Sequence, residues 1–164
     1  MVAAADTLLR GIALLAGPAQ TGRTIIHYQQ RFAAENDTTI RPADREAVLR
    51  RARTQLDSIA RVNPWMRFFL DHDPLAVAAR VRVPVLIMQG ETDRQVTADQ
   101  APALAAAFRS ARNQNVVVHV LPRTNHLFLE DPSGSPSGYA GLPSKRIPDS
   151  ILSLLTDWVV QRVR

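Results

Sequence analysis

The chain of 164 residues has no cysteine, which excludes disulfide bonds and metal sites built on cysteine thiolates. Lysine is almost absent too, since nineteen of the twenty basic residues are arginine and Lys145 stands alone. No apolar run approaches the length of a membrane-spanning helix. Residues 1–6 lack the basic segment and long apolar core of a signal peptide. We therefore expect a soluble, cytoplasmic protein whose length suffices for one domain with a real core.

Two short apolar runs predict neighbouring strands of a parallel sheet. The first covers residues 85–88, begins after Pro84 and is broken by Gly90, and the second covers residues 116–121. Unbroken apolar runs bounded by turn residues are typical of strands buried on both faces, as in parallel sheets. Between the runs, apolar side chains recur at the spacing of a helix packed on a sheet: Ala101, Leu104, Ala105 and Phe108.

The start of this helix has two possible signals. Thr97 and Gln100 can form a capping box, or Pro102 can shift the start to Asp99. A final helix is predicted over residues 150–163. Its expected buried stripe consists of Ile151, Leu154, Leu155, Trp158 and Val159.

The N-terminal half combines one short strand with a long helical block. A scrap of helix-like sequence, residues 3–10, precedes residues 11–18, which predict a strand and a turn because the apolar run ends in Gly-Pro. Residues 20–80 are polar and rich in arginine, and we expect them to form a helical lid over an active-site edge. Helices are predicted at 24–34, after Pro42 (apolar face Val48, Leu49, Ala52, Leu56 and Ile59) and after Pro64, with 75–80 as a connector.

An aspartate and a histidine follow the two predicted central strands. Asp93 comes shortly after the first strand, and His126 comes shortly after the second. The carboxyl ends of parallel strands meet at one edge of the sheet, where α/β proteins bind ligands. Asp also favours ordinary turns, and a loop histidine is often merely solvated. Their joint placement nevertheless favours an acid–base pair.

Four segments resemble parts of the α/β-hydrolase superfamily. Residues 84–96 look like the acid-bearing strand and turn of its esterases, and residues 125–128 are similar to the histidine loop of its carboxylesterase and acyl-thioesterase-like members. Residues 65–74 resemble the segment before the acid strand, and residues 11–18 resemble the strand after the nucleophile helix. The resemblance implies an α/β fold: the C-terminal half of an α/β-hydrolase sheet, about three parallel strands with flanking helices and a helical lid insertion.

The same resemblance implies one partial domain over residues 1–164. Its parts would be the strand segment 1–19, the lid 20–80, and the segment 81–164 with the acid strand, the histidine loop and the final helix. In this superfamily the triad follows the chain order Ser, Asp, His, so Asp93 would orient His126, and His126 would act as general base and then general acid.

The nucleophile of such a triad has no match in the sequence. The family places its serine in a Gly-x-Ser-x-Gly elbow between a strand and a helix. The nearest lookalike, residues 134–138, has Pro136 at its centre and follows His126. We therefore expect the serine elbow and the oxyanion loop to lie upstream of Met1. Ser133, Ser135 and Ser137 are read as plain loop residues.

The leading hypothesis is a serine-type hydrolase of carboxylic esters or thioesters that needs no cofactor and no metal. The aromatic residues Trp65, Phe68 and Phe69 form the core of the lid or a wall of the acyl pocket, and the two roles do not exclude each other. A small ester is the expected substrate, and a second copy or a complementary N-terminal half is the expected partner. The alternative is a catalytically inactive module that self-associates through an open strand edge.

The other polar clusters are explained by structural roles or exposure to solvent rather than by binding sites. The arginines of the helical block alternate with acids such as Asp44 and Glu46, so they fit a solvated helix face better than a nucleic-acid surface. Residues 71–73 read Asp-His-Asp, but adjacent side chains do not converge easily on a metal. His119 is expected to be structural.

Overall fold

The computed structural model describes residues 2–6 and 8–163, and its centre is a parallel sheet of three strands in the order β1-β2-β3. The strands are β1 (Ile12–Leu15), β2 (Val85–Gly90) and β3 (Val116–Leu121). Both pairs run parallel, with Leu14 opposite Ile87 and Met88 opposite His119. Three parallel strands with flanking helices are the α/β architecture that the sequence predicts.

The N-terminal prediction is covered only in part. Residues 2–4 form a 3₁₀ turn, Val2–Ala4. The helix-like sequence predicted over residues 3–10 includes Thr7, which lies outside the described residues, as do Met1 and Arg164.

Strand β2 is the buried axis of the sheet, and all six of its residues are buried. Val85 and Ile87 pack into one apolar cluster, whereas Leu86 and Met88 point to the opposite face and join another. The strand continues past Met88, where the apolar run ends, because Gln89 and Gly90 still pair with β3. Polar Gln89 is therefore inside the sheet, directly before the turn that carries Asp93.

Helix α5 (Gln100–Ser110) covers one face of the sheet. Its apolar residues are the predicted Ala101, Leu104, Ala105 and Phe108, and all four are buried in the cluster that contains Val85. The N-cap is Asp99, as the Pro102 alternative expected. The capping box does not form, because the Thr97 hydroxyl meets the Gln100 side chain at 3.4 Å rather than a main-chain N–H.

Helix α6 (Asp149–Val163) covers the opposite face. Ile151 and Trp158 are buried against Leu86 and Met88, and Leu154 and Leu155 pack partly on the same cluster. Val159 is 41% exposed, so the predicted stripe is one residue too wide. At 100° per residue, position 159 falls at the edge of the face centred on the other four.

Residues 20–73 form a compact helical unit of their own, inserted between β1 and β2. It contains α1 (Gly22–Asn36), α2 (Arg45–Val62) and α3 (Pro64–Asp71) around a small core of Leu56, Ala60 and Leu70. A 3₁₀ turn, Pro42–Asp44, leads into α2.

Local signals set the helix starts in this unit. The Thr21 hydroxyl accepts from the N–H of Thr24, and the Asn63 side chain accepts from the N–H of Met66. Each cap satisfies a donor that a helix N-terminus otherwise leaves unpaired. The predicted apolar face of α2 is wrong in part, since Val48 is 37% and Ile59 is 40% exposed. The helix buries the predicted Leu49 and Leu56, and also Ala60, which the prediction did not include.

The sheet unit consists of residues 1–19 and 74–164. It includes a short helix, α4 (Pro74–Ala78), in the segment that the sequence predicts as a mere connector. Pro74 occupies the first helical position, where its missing N–H has no cost. Within the described residues, no helix combines the length and the apolar character required to cross a membrane.

Candidate active site

Asp93 lies in the tight turn that follows β2, and its carboxylate is enclosed by hydrogen-bond donors. The residue is 1% exposed. Its Oδ1 accepts from the main-chain N–H groups of Gln95 at 2.7 Å and Val96 at 2.9 Å. Its Oδ2 accepts from Nε2 of Gln89 at 2.8 Å, and the same amide nitrogen donates to the carbonyl of Val96 at 2.7 Å. The turn and the end of β2 thus fix the orientation of this carboxylate.

His126 reaches that carboxylate from the loop after β3. Its Nδ1 lies 2.8 Å from Oδ2 of Asp93. A carboxylate accepts hydrogen bonds only, so Nδ1 carries the proton and Nε2 is the acceptor nitrogen of the neutral ring. The side chain is 29% exposed, and Nε2 has no hydrogen bond within the described part of the chain. The imidazole is therefore oriented by Asp93 and open at its basic nitrogen.

Asn125 shapes the loop that presents His126. It is completely buried, and its Oδ1 accepts from the N–H groups of Leu127 at 2.9 Å and Leu129 at 3.1 Å. Phe128 takes a left-handed conformation with φ of +60°, and its N–H donates to the Asn125 carbonyl. The loop closes tightly on the asparagine side chain, which leaves the intervening His126 on the outside.

The turn of Asp93 and the loop of His126 are joined by direct contacts. The N–H of Thr92 donates to the carbonyl of Thr124 at 3.0 Å, and the Thr92 hydroxyl donates to the carbonyl of Asp131 at 2.6 Å. A Cβ on Gly90 would collide with the Thr124 carbonyl, and one on Gly134 would collide with the Thr92 carbonyl. Glycine at both positions permits the close approach that brings Asp93 and His126 together.

Asp131 stabilises the far side of the histidine loop. Burial would raise the pKa of its carboxyl, but hydrogen bonds from Ser133, Gly134 and Asn125 outweigh that effect and lower the pKa. The residue is 2% exposed, and its Oδ2 accepts from Nδ2 of Asn125 at 3.2 Å. Sequence reasoning missed this role, because Asp131 opens a stretch whose composition indicates only a loop.

Tyr139 is a second residue that sequence reasoning missed. It lies in a 3₁₀ turn, Pro136–Gly141, and its hydroxyl oxygen is 3.4 Å from Nε2 of Gln95. Burial raises the pKa of Tyr139, Gln95 opposes the rise, Asp93 adds to it, and the main-chain N–H of His126 also opposes it. The phenol therefore lies beside the acid–base pair and stays protonated at neutral pH.

The other predicted site residues belong to α3 of the helical unit. Trp65 is 66% exposed, Phe68 is 49% exposed and Phe69 is 36% exposed, so none of them is part of that unit's buried core. The rings of Trp65 and Phe69 are stacked, with centroids 5.6 Å apart. The lid-core alternative is thus not supported, and contact with substrate stays a prediction.

The serines near His126 are engaged with other partners. The Ser133 hydroxyl is 2.8 Å from Oδ1 of Asp131, and the hydroxyls of Ser135 and Ser137 are 2.9 Å apart. Among residues 2–6 and 8–163, no serine hydroxyl is hydrogen-bonded to His126. The same residues contain no cluster of three side chains able to hold a metal ion.

One comparison with known proteins gives a match. The model of the dienelactone hydrolase family matches residues 47–145, more than half of the chain. The matched segment contains β2, β3, Asp93, His126 and Tyr139. No curated protein matches the chain.

Proposed function

Because the chain belongs to the dienelactone hydrolase family, a branch of the α/β-hydrolase superfamily, we propose that it serves the hydrolysis of carboxylic esters or thioesters. Family membership supports a hydrolase. The finer assignment, a Ser-His-Asp mechanism in which this chain contributes the Asp and the His, rests on the contact of 2.8 Å between Asp93 and His126.

The proposed roles follow from the hydrogen bonds of the pair. Nε2 of His126 removes the proton of a hydroxyl nucleophile as that oxygen attacks the ester carbonyl, and then returns the proton to the leaving group. Asp93 accepts Nδ1–H throughout and stabilises the imidazolium that forms. Its carboxylate is already held by the N–H groups of Gln95 and Val96, so no reorganisation is needed when the charge develops.

We assign the nucleophile to a serine outside the described residues, either in a complementary half or in a partner chain. Two observations support this assignment. His126 has no hydroxyl partner among the described residues, and the three nearby loop serines are bonded elsewhere. The aromatic side chains on α3, Trp65, Phe68 and Phe69, are assigned to the acyl group. An unchanged KM for a butyryl ester after Phe68→Ala would remove this last assignment.

The test uses p-nitrophenyl acetate, an ester activated enough for an imidazole to attack without a serine. Nε2 adds to the carbonyl, p-nitrophenolate leaves, and water then releases acetate from the ring. We expect His126→Ala to lower the rate of p-nitrophenolate release, because it removes the nitrogen that attacks the ester. His119→Ala, which removes an equivalent ring from β3, is the matched control and should leave the rate unchanged.

A fluorophosphonate probe followed by intact-mass analysis completes this test. No adduct on the folded chain, together with the loss in His126→Ala, supports a chain that supplies only Asp and His. A single adduct suppressed by His126→Ala would place an activated serine inside the chain and overturn that assignment. Equal esterase rates in both histidine variants, with no adduct, would remove the hydrolase proposal.

A second candidate function is a self-associating or partner-binding module. Strand β1 is an edge of the sheet, and Leu15 on it is 48% exposed. An unpaired strand edge with apolar side chains is a template for pairing with another chain. Light scattering tests this candidate. A mass that stays that of one chain up to high concentration would contradict self-association, whereas a dimer disrupted by Leu15→Lys would support it.

A further inference from the structure

The hydroxyl of Tyr139, on the 3₁₀ turn that follows the loop of His126, contacts the turn of Asp93. Nε2 of Gln95 donates to this oxygen over 3.4 Å, at the long end of the hydrogen-bond range. The main-chain N–H of His126 is near enough to lower the pKa of this phenol. The phenol oxygen therefore accepts from the turn of Asp93 and lies beside the loop of His126.

Gln95 makes this contact relevant to Asp93. Its main-chain N–H donates to Oδ1 of Asp93 at 2.7 Å, while its side chain donates to Tyr139. A single residue thus connects the buried carboxylate to the phenol. A shift of the tyrosine would therefore move Gln95, whose main-chain N–H holds Oδ1 of Asp93.

The turn that carries Tyr139 is itself fixed. Nζ of Lys145, the only lysine of the chain, donates to the carbonyls of Tyr139 at 2.6 Å, Ala140 at 3.0 Å and Leu142 at 3.0 Å. The carbonyl of Tyr139 also accepts from the N–H of Leu142, so the end of the turn is bonded from two sides. The phenol is therefore presented from an anchored backbone rather than from a loose loop.

We propose that Tyr139 is a positioning residue, whose hydroxyl oxygen accepts the side-chain N–H of Gln95 and thereby keeps Asp93 aligned with the imidazole of His126. The inference rests on the proposed function, in which that alignment prepares Nε2 to take a proton. The phenol oxygen suits this task because the group stays neutral and protonated, so it accepts hydrogen bonds without placing a second negative charge beside Asp93.

The experiment measures the Nδ1 proton of His126 by NMR on the ¹⁵N-labelled chain. In Tyr139→Phe, the exchange of this proton with water should become about two- to tenfold faster, the range that corresponds to loss of one neutral hydrogen bond. Tyr28→Phe is the matched control, because Tyr28 is the other tyrosine of the chain and stacks on Phe32 in α1. It should leave the exchange rate unchanged.

Further variants separate positioning from simple stabilisation. Gln95→Met removes the amide donor at similar length and should accelerate the same exchange. The melting temperatures of Tyr139→Phe and Tyr28→Phe should shift equally little. Unchanged exchange in Tyr139→Phe, or acceleration only in proportion to a lowered melting temperature, would overturn the proposal.

The outcomes for Tyr139 and for the hydrolase proposal are independent. Asp93→Asn should abolish the protected Nδ1 proton whatever Tyr139 does. Loss of protection in Asp93→Asn but not in Tyr139→Phe would reject the positioning role alone. Faster exchange in Tyr139→Phe, combined with equal esterase rates of His126→Ala and His119→Ala, would reject the hydrolase role alone.

Discussion

At the scale of single residues, the site depends on buried polar side chains that hydrogen-bond to one another and to the main chain. The side-chain oxygen of Asn125 accepts from the N–H groups of Leu127 and Leu129, and its side-chain nitrogen donates to Asp131. Buried polar groups are costly when unpaired, so each partner of such a network has a measurable role. The carboxylate of Asp131 is the clearest case, because it is both buried and charged.

The free energy of unfolding should decrease as the pH falls, because Asp131 becomes protonated. The folded state lowers the pKa of this group, so the unfolded chain binds its proton first as the pH drops below about 4. The stabilisation is complete above the unfolded pKa and is lost as the pH falls through the folded pKa. Urea titrations between pH 6 and pH 3 measure this slope.

Asp131→Asn is the variant that isolates the effect. It should lower the free energy of unfolding by about 1–3 kcal/mol at neutral pH, because its new amide faces Nδ2 of Asn125. Below pH 4, the free energy of unfolding of this variant should depend less steeply on pH. Asp149→Asn, at an exposed surface pair with Arg146, is the control and should keep the decline. An equally steep decline in Asp131→Asn would refute the assignment.

At the scale of elements, the two loops of the acid–base pair are held at contact distance by glycines. Gly134 has φ of +66°, a backbone conformation that residues with a Cβ adopt only with strain. Its missing Cβ also leaves room for the carbonyl of Thr92, which lies in the turn of Asp93.

Gly134→Ala should therefore destabilise the fold and separate the loops. We expect the free energy of unfolding to decrease by about 2 kcal/mol or more, because the strain of the left-handed backbone adds to the overpacking. Gly138→Ala, where nothing lies within 4 Å of the new Cβ, is the control and should change stability little. Equal unfolding midpoints in urea for the two variants would contradict the close approach described here.

Elements whose signals are local are the ones that sequence reasoning predicted. Strand β3 matches its predicted bounds, and Asp93 and His126 meet because parallel strands end at one edge. The buried face of α2 is predicted only in part, with Leu49 and Leu56 buried but Val48 and Ile59 exposed, because the side of an amphipathic helix that is buried depends on its neighbours. Tyr139 was missed because its partner Gln95 comes from another loop, and no spacing within one element records such a contact. Asp131 was missed because loop composition does not record which side chain of a loop is buried.

At the scale of the whole molecule, the positive charge is largely balanced locally in the helical unit. Arg23 pairs with Asp57 at 2.6 Å and Asp71 at 3.5 Å, and so connects all three helices. Arg41 pairs with Asp44. Exposed pairs of this kind contribute only about 0–1 kcal/mol each. They do explain how a chain with a net charge of +5 presents a mixed rather than a uniformly basic helical surface.

The helical unit and the sheet unit each have a core of their own, so a change in one should leave the other intact. Gly22→Ala tests this in the helical unit, because a Cβ at position 22 would lie only 2.5–2.8 Å from the backbone oxygen and the ring of Phe69. We expect it to destabilise that unit by about 1–3 kcal/mol, the usual cost of overpacking.

Hydrogen exchange followed by mass spectrometry resolves this prediction by segment. Exchange in α1 and α3 should accelerate in Gly22→Ala, whereas β2 and β3 should keep the protection of the unchanged protein. Gly141→Ala, with no atom within 4 Å of its new Cβ, controls for the substitution itself. Equal acceleration in the helices and in the sheet would show that the two cores unfold together, and the proposed acid–base pair would then depend on the helical unit for its stability.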